Sequence, residues 1–273
     1  MFEKEHDVLI CIDSDGTIMD TMTIKHVNCF GPSFVDVFNI KENREDILKH
    51  WNETNLYTMT RGINRFQGLK EILIYCSKKY NLHYQGAEAF YHWVDTTPAF
   101  SITLLKKESE KIDSETIQKA ILWNDEVNRR IRLLPENKMF ENVYETLLKL
   151  REVSDLVGVS SANKDAVFEE WKKNGILPLF KEVCCQDKGS KTAIIKESKK
   201  GYLDENVIMV GDALGDLEAS RNSNCLFYPI IPSKEKDSWK ELGDIVSLIK
   251  DGKYKDLEEK YINEFKEFLG GNQ

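Results

Sequence analysis

One short apolar strand stands alone near the start of this chain. It runs from Val8 to Ile12, and the next stretch of strand character comes only after Pro135. A lone strand leaves its backbone N–H and C=O groups unpaired, so it needs strand neighbours from elsewhere. Between Asp20 and Leu134 the pattern is helical, polar and rich in aromatic residues, as in "REDILKHWNETN", "GLKEILIYCSKKY", "EAFYHWV" and "SETIQKAILWNDEVNRRIRLL". Apolar residues recur there at three- and four-residue spacing. A helical stretch of about 115 residues is far longer than a loop and reads as a domain of its own.

After Pro135 strands and helices alternate. "MFENVYETLLKLREV" reads as a helix and "DLVGVSS" as a strand; "KDAVFEEWKKNG" is a helix closed by Gly175. "KEVCCQ", "NVIMVGD" and "CLFYPII" read as strands, with "SKTAIIKESKKG" and "ALGDLEASRNS" as helices between them. The tail "YKDLEEKYINEFKEFL" is a charged amphipathic helix. Such alternation predicts parallel strands, and short continuous apolar strands fit a sheet covered on both faces. The expected fold class is therefore α/β: a doubly wound, Rossmann-like parallel sheet with an inserted all-helical domain. The sheet domain would be discontinuous, residues 1–19 plus 135–273, around a helical domain of residues 20–134.

Composition narrows the function. A net charge of −8 argues against nucleic acid or an anionic membrane as the main partner. Six scattered cysteines make no C-x-x-C pair, and Cys184 and Cys185 are adjacent, so reduced thiols and a cytoplasmic location are expected. The opening "MFEKEHDVLI" puts acids before a very short apolar run and predicts no signal peptide. No stretch has the length of a transmembrane helix. The five histidines make no metal-ligand spacing. The aromatic set Trp51, Tyr57, Phe66, Phe90, Tyr91 and Trp93 reads as helical-domain core.

Ligands of open parallel sheets bind at the carboxyl ends of the strands. Asp13, Asp15, Gly16 and Thr17 follow the first predicted strand, and Ser160, Ser161 and Asn163 follow the second. Lys188 and Lys191 follow the third; Gly211, Asp212 and Asp216 follow the fourth. Two carboxylates one residue apart repel each other, which a cation would offset. Carboxylates, a hydroxyl and a lysine at one edge suit Mg²⁺ and a phosphate. Each piece alone is ordinary: serines after a strand cap helices, and a first-turn acid such as Asp216 suits the helix dipole. Their order, each after its own strand, is what carries the reading.

On "DSDGT", the serine of "GVSSAN", a helix-initiating lysine and "GDALGD", the chain resembles the haloacid dehalogenase (HAD) superfamily of phosphohydrolases and phosphotransferases. It is most similar to the phosphoglycolate-phosphatase-like and β-phosphoglucomutase-like branch, in which a helical cap domain lies between the first two motifs. The resemblance implies a Mg²⁺-dependent phosphatase acting on a small phosphorylated metabolite through an aspartyl-phosphate. It implies Asp13 as nucleophile and Asp15 as general acid–base. Asp13, Asp212 and the backbone carbonyl of Asp15 would hold the metal, with Asp216 supporting the metal shell or the lysine. Ser160, or Ser161 in the other register, would bind a phosphate oxygen. Lys191, with Lys188 as alternative, would neutralise the phosphoryl charge, and Thr17 would help cradle it. Arg61 and Arg65 are expected to bind an anionic or hydroxylated part of the leaving group, or else to be solvated helix-end residues. A sugar-phosphate mutase using the same first half-reaction stays open. A non-catalytic binding protein is disfavoured because every proposed catalytic side chain is present, and dehalogenase activity is disfavoured by the acid at Asp15.

Overall fold

The computed structural model describes residues 2–270. The chain divides into two compact units, Met1–Met22 with Glu136–Gln273 and Thr23–Pro135. The first is an α/β sheet unit and the second is helical, which gives the fold class the alternation predicts.

The strands are β1 (Leu9–Ile12), β2 (Asp155–Val159), β3 (Glu182–Cys184), β4 (Val207–Gly211) and β5 (Leu226–Pro229). Their order is β3-β2-β1-β4-β5, and every pairing is parallel. The isolated strand of the sequence thus lies at the centre of the sheet, with Leu9 level with Asp155 on one side and Val207 on the other. All four of its residues are buried. Because successive side chains of a strand point to opposite faces, Ile10 and Ile12 enter one core layer and Leu9 and Cys11 the other.

The helical unit holds α1 (Met22–Lys25), a π-helical turn at His26–Phe30, α2 (Gly31–Val37), α3 (Arg44–Leu56), α4 (Arg65–Tyr80), α5 (Ala87–Thr96), α6 (Ile102–Ser109) and α7 (Glu115–Ile131). Its core includes Trp51, Phe66, Phe90, Trp93 and Trp123. Of the aromatic residues expected there, Tyr57 is 42% exposed, because it lies just beyond the end of α3. His26 stacks on Phe30, and its Nδ1 accepts the indole N–H of Trp51 at 3.1 Å, a structural role.

The sheet unit continues with α8 (Val143–Arg151), α9 (Lys164–Lys173), α10 (Lys191–Ser198), α11 (Leu214–Asn222), α12 (Glu235–Lys250) and α13 (Tyr254–Phe268). Leu147, Trp171 and Trp239 put α8, α9 and α12 on the Ile10 face. Ile195, Leu217 and Phe265 put α10, α11 and α13 on the Leu9 face. The segment before β1 is pinned by Asp155, whose Oδ2 accepts from the N–H groups of Glu5 and His6 at 3.0 Å and from Tyr202 at 2.6 Å. All six cysteines are buried free thiols. Among the described residues no helix is long and apolar enough to cross a membrane.

Candidate active site

From β1 the sheet runs to β2 and β3 on one side, then to β4 and β5 on the other. The strand order therefore reverses between β1 and β4. That reversal opens a crevice at the strands' carboxyl ends. Asp13 follows β1 directly, and its N–H continues the ladder to the Val210 carbonyl at 3.0 Å. The chain then turns tightly. The Ser14 carbonyl accepts the N–H groups of Thr17, Ile18 and Met19 at 3.3, 3.0 and 2.9 Å. Gly16 sits inside this turn at φ +80°, where a Cβ would lie 2.2 Å from Asp212 Oδ2. Only glycine allows both the left-handed backbone and this approach of the two loops. Next to it, the Thr17 hydroxyl donates to Asp212 Oδ1 at 2.9 Å.

Three carboxylates and one ammonium meet at this edge. Asp13, Asp212 and Asp216 each offer an oxygen within 4.8 Å of the others, and all three residues are buried. Lys191, the first residue of α10, reaches in to Asp13 Oδ1 at 2.9 Å and Asp216 Oδ1 at 2.6 Å. The other Asp216 oxygen accepts the Ala213 N–H at 3.2 Å. Burial pushes the Asp13 carboxyl up; Lys191 pulls against it, Asp216 and Asp212 add repulsion, and the carboxyl ends well above its usual range. Asp216 is raised for the same first reason, burial, again opposed by Lys191. Burial works against the Lys191 cation, but Asp13 and Asp216 outweigh it and hold its pKa above the ordinary lysine value.

The remaining expected site residues fall as follows. Asp15 is half-buried, and its Oδ1 accepts the Thr21 hydroxyl at 2.5 Å. Ser160 is buried just past β2, its N–H on the Cys184 carbonyl and its Oγ accepting the Ala162 N–H at 3.1 Å. Ser161 beside it is exposed. Lys188 is exposed in a short turn before α10, whereas Lys191 stands on the carboxylates. Arg61 and Arg65 belong to the helical unit. Arg61 is buried and donates to the Leu56 carbonyl at 2.8 Å. Arg65 is half-buried, donates to Asn124 and Asn128 Oδ1 at 3.0 and 2.8 Å, and lies over the Phe30 ring.

The donor set fits a hard divalent cation. Three buried carboxylates against one ammonium leave an excess of negative charge, and oxygen ligands of this kind suit Mg²⁺. Asp216 engages both of its oxygens, one with the Lys191 ammonium and the other with the Ala213 N–H.

Sequence reasoning passed over three residues that hold this loop. Thr21 bonds Asp15, Trp171 bonds Ser14 and Trp239 bonds the Thr17 carbonyl. The tryptophans read only as apolar positions of amphipathic helices, and nothing in sequence spacing reports where an indole N–H points. Thr21 carried a weak signal, as a hydroxyl closing the turn that opens at Asp13.

A family model described as "Haloacid dehalogenase-like hydrolase" matches residues 63–230, more than half of the chain. The matched span takes in Ser160, Lys191, Asp212 and Asp216 and begins beyond Asp13 and Asp15. Among curated proteins none matches. Among solved structures, a provisionally named phosphoglycolate phosphatase from Lactobacillus delbrueckii subsp. bulgaricus is 14% identical. It aligns over 89% of this chain and 99% of its own, with a TM-score of 0.54. The provisionally named HAD-hydrolase YfnB from Bacillus subtilis, bound to magnesium, is 13% identical over 89% and 99%, with a TM-score of 0.50. At such identity the likeness is one of fold.

Proposed function

This chain belongs to the haloacid dehalogenase-like hydrolases, and from that premise we propose that it is a Mg²⁺-dependent phosphatase of a small phosphorylated metabolite. The observation that carries the reading is the cluster of Asp13, Asp212 and Asp216 around the Lys191 ammonium at the sheet's switch point.

Asp13 is the nucleophile. Its carboxylate attacks phosphorus, the ester P–O bond breaks, and an aspartyl-phosphate forms while the leaving oxygen takes a proton from Asp15. Asp15 then removes a proton from water, whose oxygen attacks the same phosphorus and releases phosphate and the free Asp13 carboxylate. The Thr21 hydroxyl on Asp15 Oδ1 orients that side chain. Lys191 neutralises charge on Asp13 and on the phosphoryl group, and Asp216 holds Lys191 in place. Ser160, buried at the end of β2, binds a phosphoryl oxygen. Asp13 and Asp212 would hold the Mg²⁺, with Thr17 orienting Asp212. When bound, the ion offsets the repulsion among the carboxylates and between nucleophile and phosphate. Burial raises the Asp13 carboxyl, and a bound cation would favour its charged form in the same sense as Lys191 does. The buried free thiols suit a reducing, cytoplasmic setting.

The test is phosphate release from an aryl phosphate and a panel of phosphorylated metabolites, with Mg²⁺ and with chelator, for the wild type and Asp13→Asn. Turnover that needs Mg²⁺ and vanishes in the variant is expected. Release that survives Asp13→Asn would refute the assignment of the nucleophile.

A further inference from the structure

Ser14 lies between the two carboxylates assigned to the chemistry, and it is buried. Its Oγ accepts the indole N–H of Trp171 at 2.9 Å. Trp171 comes from α9, the helix that follows β2, and is itself fully buried against Phe180, with ring centroids 4.6 Å apart. Its ring crosses β2 at Gly158. A Cβ on Gly158 would lie 2.7 and 2.9 Å from the ring carbons of Trp171. Gly158 pairs with Ile12, the last residue of β1. Glycine in the middle of a central strand is unfavourable, and it often marks a close approach. Here that approach is the tryptophan on its way to Ser14.

We propose that Trp171 is a positioning residue of the phosphoryl-transfer loop, fixing Ser14, and through it Asp13 and Asp15, across the gap that Gly158 leaves in β2. The inference rests on the phosphatase reading above. The Ser14 carbonyl already carries three N–H groups of the turn, so a rotation of Ser14 shifts the whole stretch from Asp13 to Met19. Trp171 acts on the side chain and the turn acts on the carbonyl, so Ser14 is held at two points. A second indole works in the same sense: Trp239 of α12 donates to the Thr17 carbonyl at 2.7 Å. Two helices packed on one face of the sheet thus brace the loop. Small displacements of a reacting group cost large factors in rate, which gives such bracing a purpose beyond stability.

The experiment is a double-mutant cycle of Ser14→Ala and Trp171→Phe in the full chain, read as kcat and KM for Mg²⁺-dependent hydrolysis of an aryl phosphate. A parallel readout is hydrogen exchange of the Trp171 indole N–H by NMR. Ser14→Ala removes only one oxygen, so it keeps the test valid if Trp171→Phe does not fold. A loss of about tenfold in kcat with KM unchanged in Ser14→Ala is expected. Faster exchange at the Trp171 indole is expected with it, and a double variant no worse than Trp171→Phe alone. Unchanged kcat in Ser14→Ala would overturn the proposal, as would losses that simply multiply. A wild type without Mg²⁺-dependent, Asp13-dependent turnover would instead overturn the phosphatase reading. In that case the bond itself is still read by indole exchange, and exchange in Ser14→Ala equal to wild type would overturn it too.

Discussion

Replacing Lys191 by methionine removes the ammonium that pairs with Asp13 and Asp216 while keeping most of the side-chain volume. At an effective dielectric of about 20, unit charges at the 2.6 and 2.9 Å of the Asp216 and Asp13 contacts attract by about 6 kcal/mol each. The loss in stability is smaller, because a stranded carboxylate can take up a proton. Protonating a carboxyl of ordinary pKa, about 3.9, near neutral pH costs about 4 kcal/mol. Asp13 and Asp216 are already raised by burial, so each costs less than that. We expect Lys191→Met to lose about 3 kcal/mol without metal at about pH 7, the low end for breaking a buried pair from one side. The pH dependence has a definite sign. In the variant these carboxyls ionise in the unfolded chain at about 3.9 and in the folded chain only at a higher pH. The folded state therefore loses stability as pH rises through that interval, so the deficit is small near pH 4 and grows as the pH rises. Mg²⁺ supplies a replacement cation and restores part of it. Urea unfolding followed by tryptophan fluorescence, at several pH values with and without Mg²⁺, measures all three effects. A deficit that is equal in acid and base, or that Mg²⁺ leaves untouched, would show that Lys191 does not serve as the counter-ion of these carboxylates.

Two further substitutions probe the geometry. Gly16→Ala puts a methyl 2.2 Å from Asp212 Oδ2 at φ +80°, so Asp212 must move and its bond from Thr17 must break. We expect a stability loss of about 2 kcal/mol from the left-handed backbone alone. Isothermal titration should show weaker Mg²⁺ binding, and unaltered affinity would refute the close approach. Asp155 is buried, which would raise its carboxyl, but the Tyr202 hydroxyl, the N–H groups of His6 and Glu5, and Lys181 hold it below the usual range. Its contribution is present above the unfolded pKa of about 3.9 and is lost as pH falls through the lower folded value. The urea midpoints of Asp155→Asn and wild type should therefore lie apart at neutral pH and converge in acid; a gap that is constant with pH would contradict this.

How far the fold was legible depends on where each signal lies. The short apolar runs at β1, β2, β4 and β5 are too hydrophobic to be anything but buried, and the turns after α9 and α10 carry Gly175 and Gly201 at positive φ. α12 escaped sequence reading. Its apolar residues Trp239, Leu242, Ile245, Val246 and Ile249 sit among many charges, and Gly243 interrupts the pattern. The helices at Met22–Lys25 and Gly31–Val37 escaped for another reason: a π-helical turn at His26–Phe30 shifts the spacing between them. At the site, the carboxylates could be found because each follows a strand. Lys191 opens the helical pattern, which favours it over Lys188, and it is Lys191 that stands on the carboxylates while Lys188 lies exposed in the turn Gln186–Lys188. The hydrogen bonds of Trp171, Trp239 and Thr21 depend on side-chain direction across the fold, which spacing along a helix does not encode.

The central place of β1 also orders events during synthesis. The strand leaves the ribosome before its neighbours β2 and β4, which begin only at Asp155 and Val207. At translation rates of about 5–20 residues per second, β1 waits on the order of ten to forty seconds for its second partner. The helical unit is contiguous from Thr23 to Pro135 and has all its residues well before then. A nascent chain of this protein therefore carries an unpaired, apolar strand tipped with Asp13 while the helical unit behind it is already complete. Whatever shields a growing chain from aggregation has to cover this strand until β2 and β4 have been made.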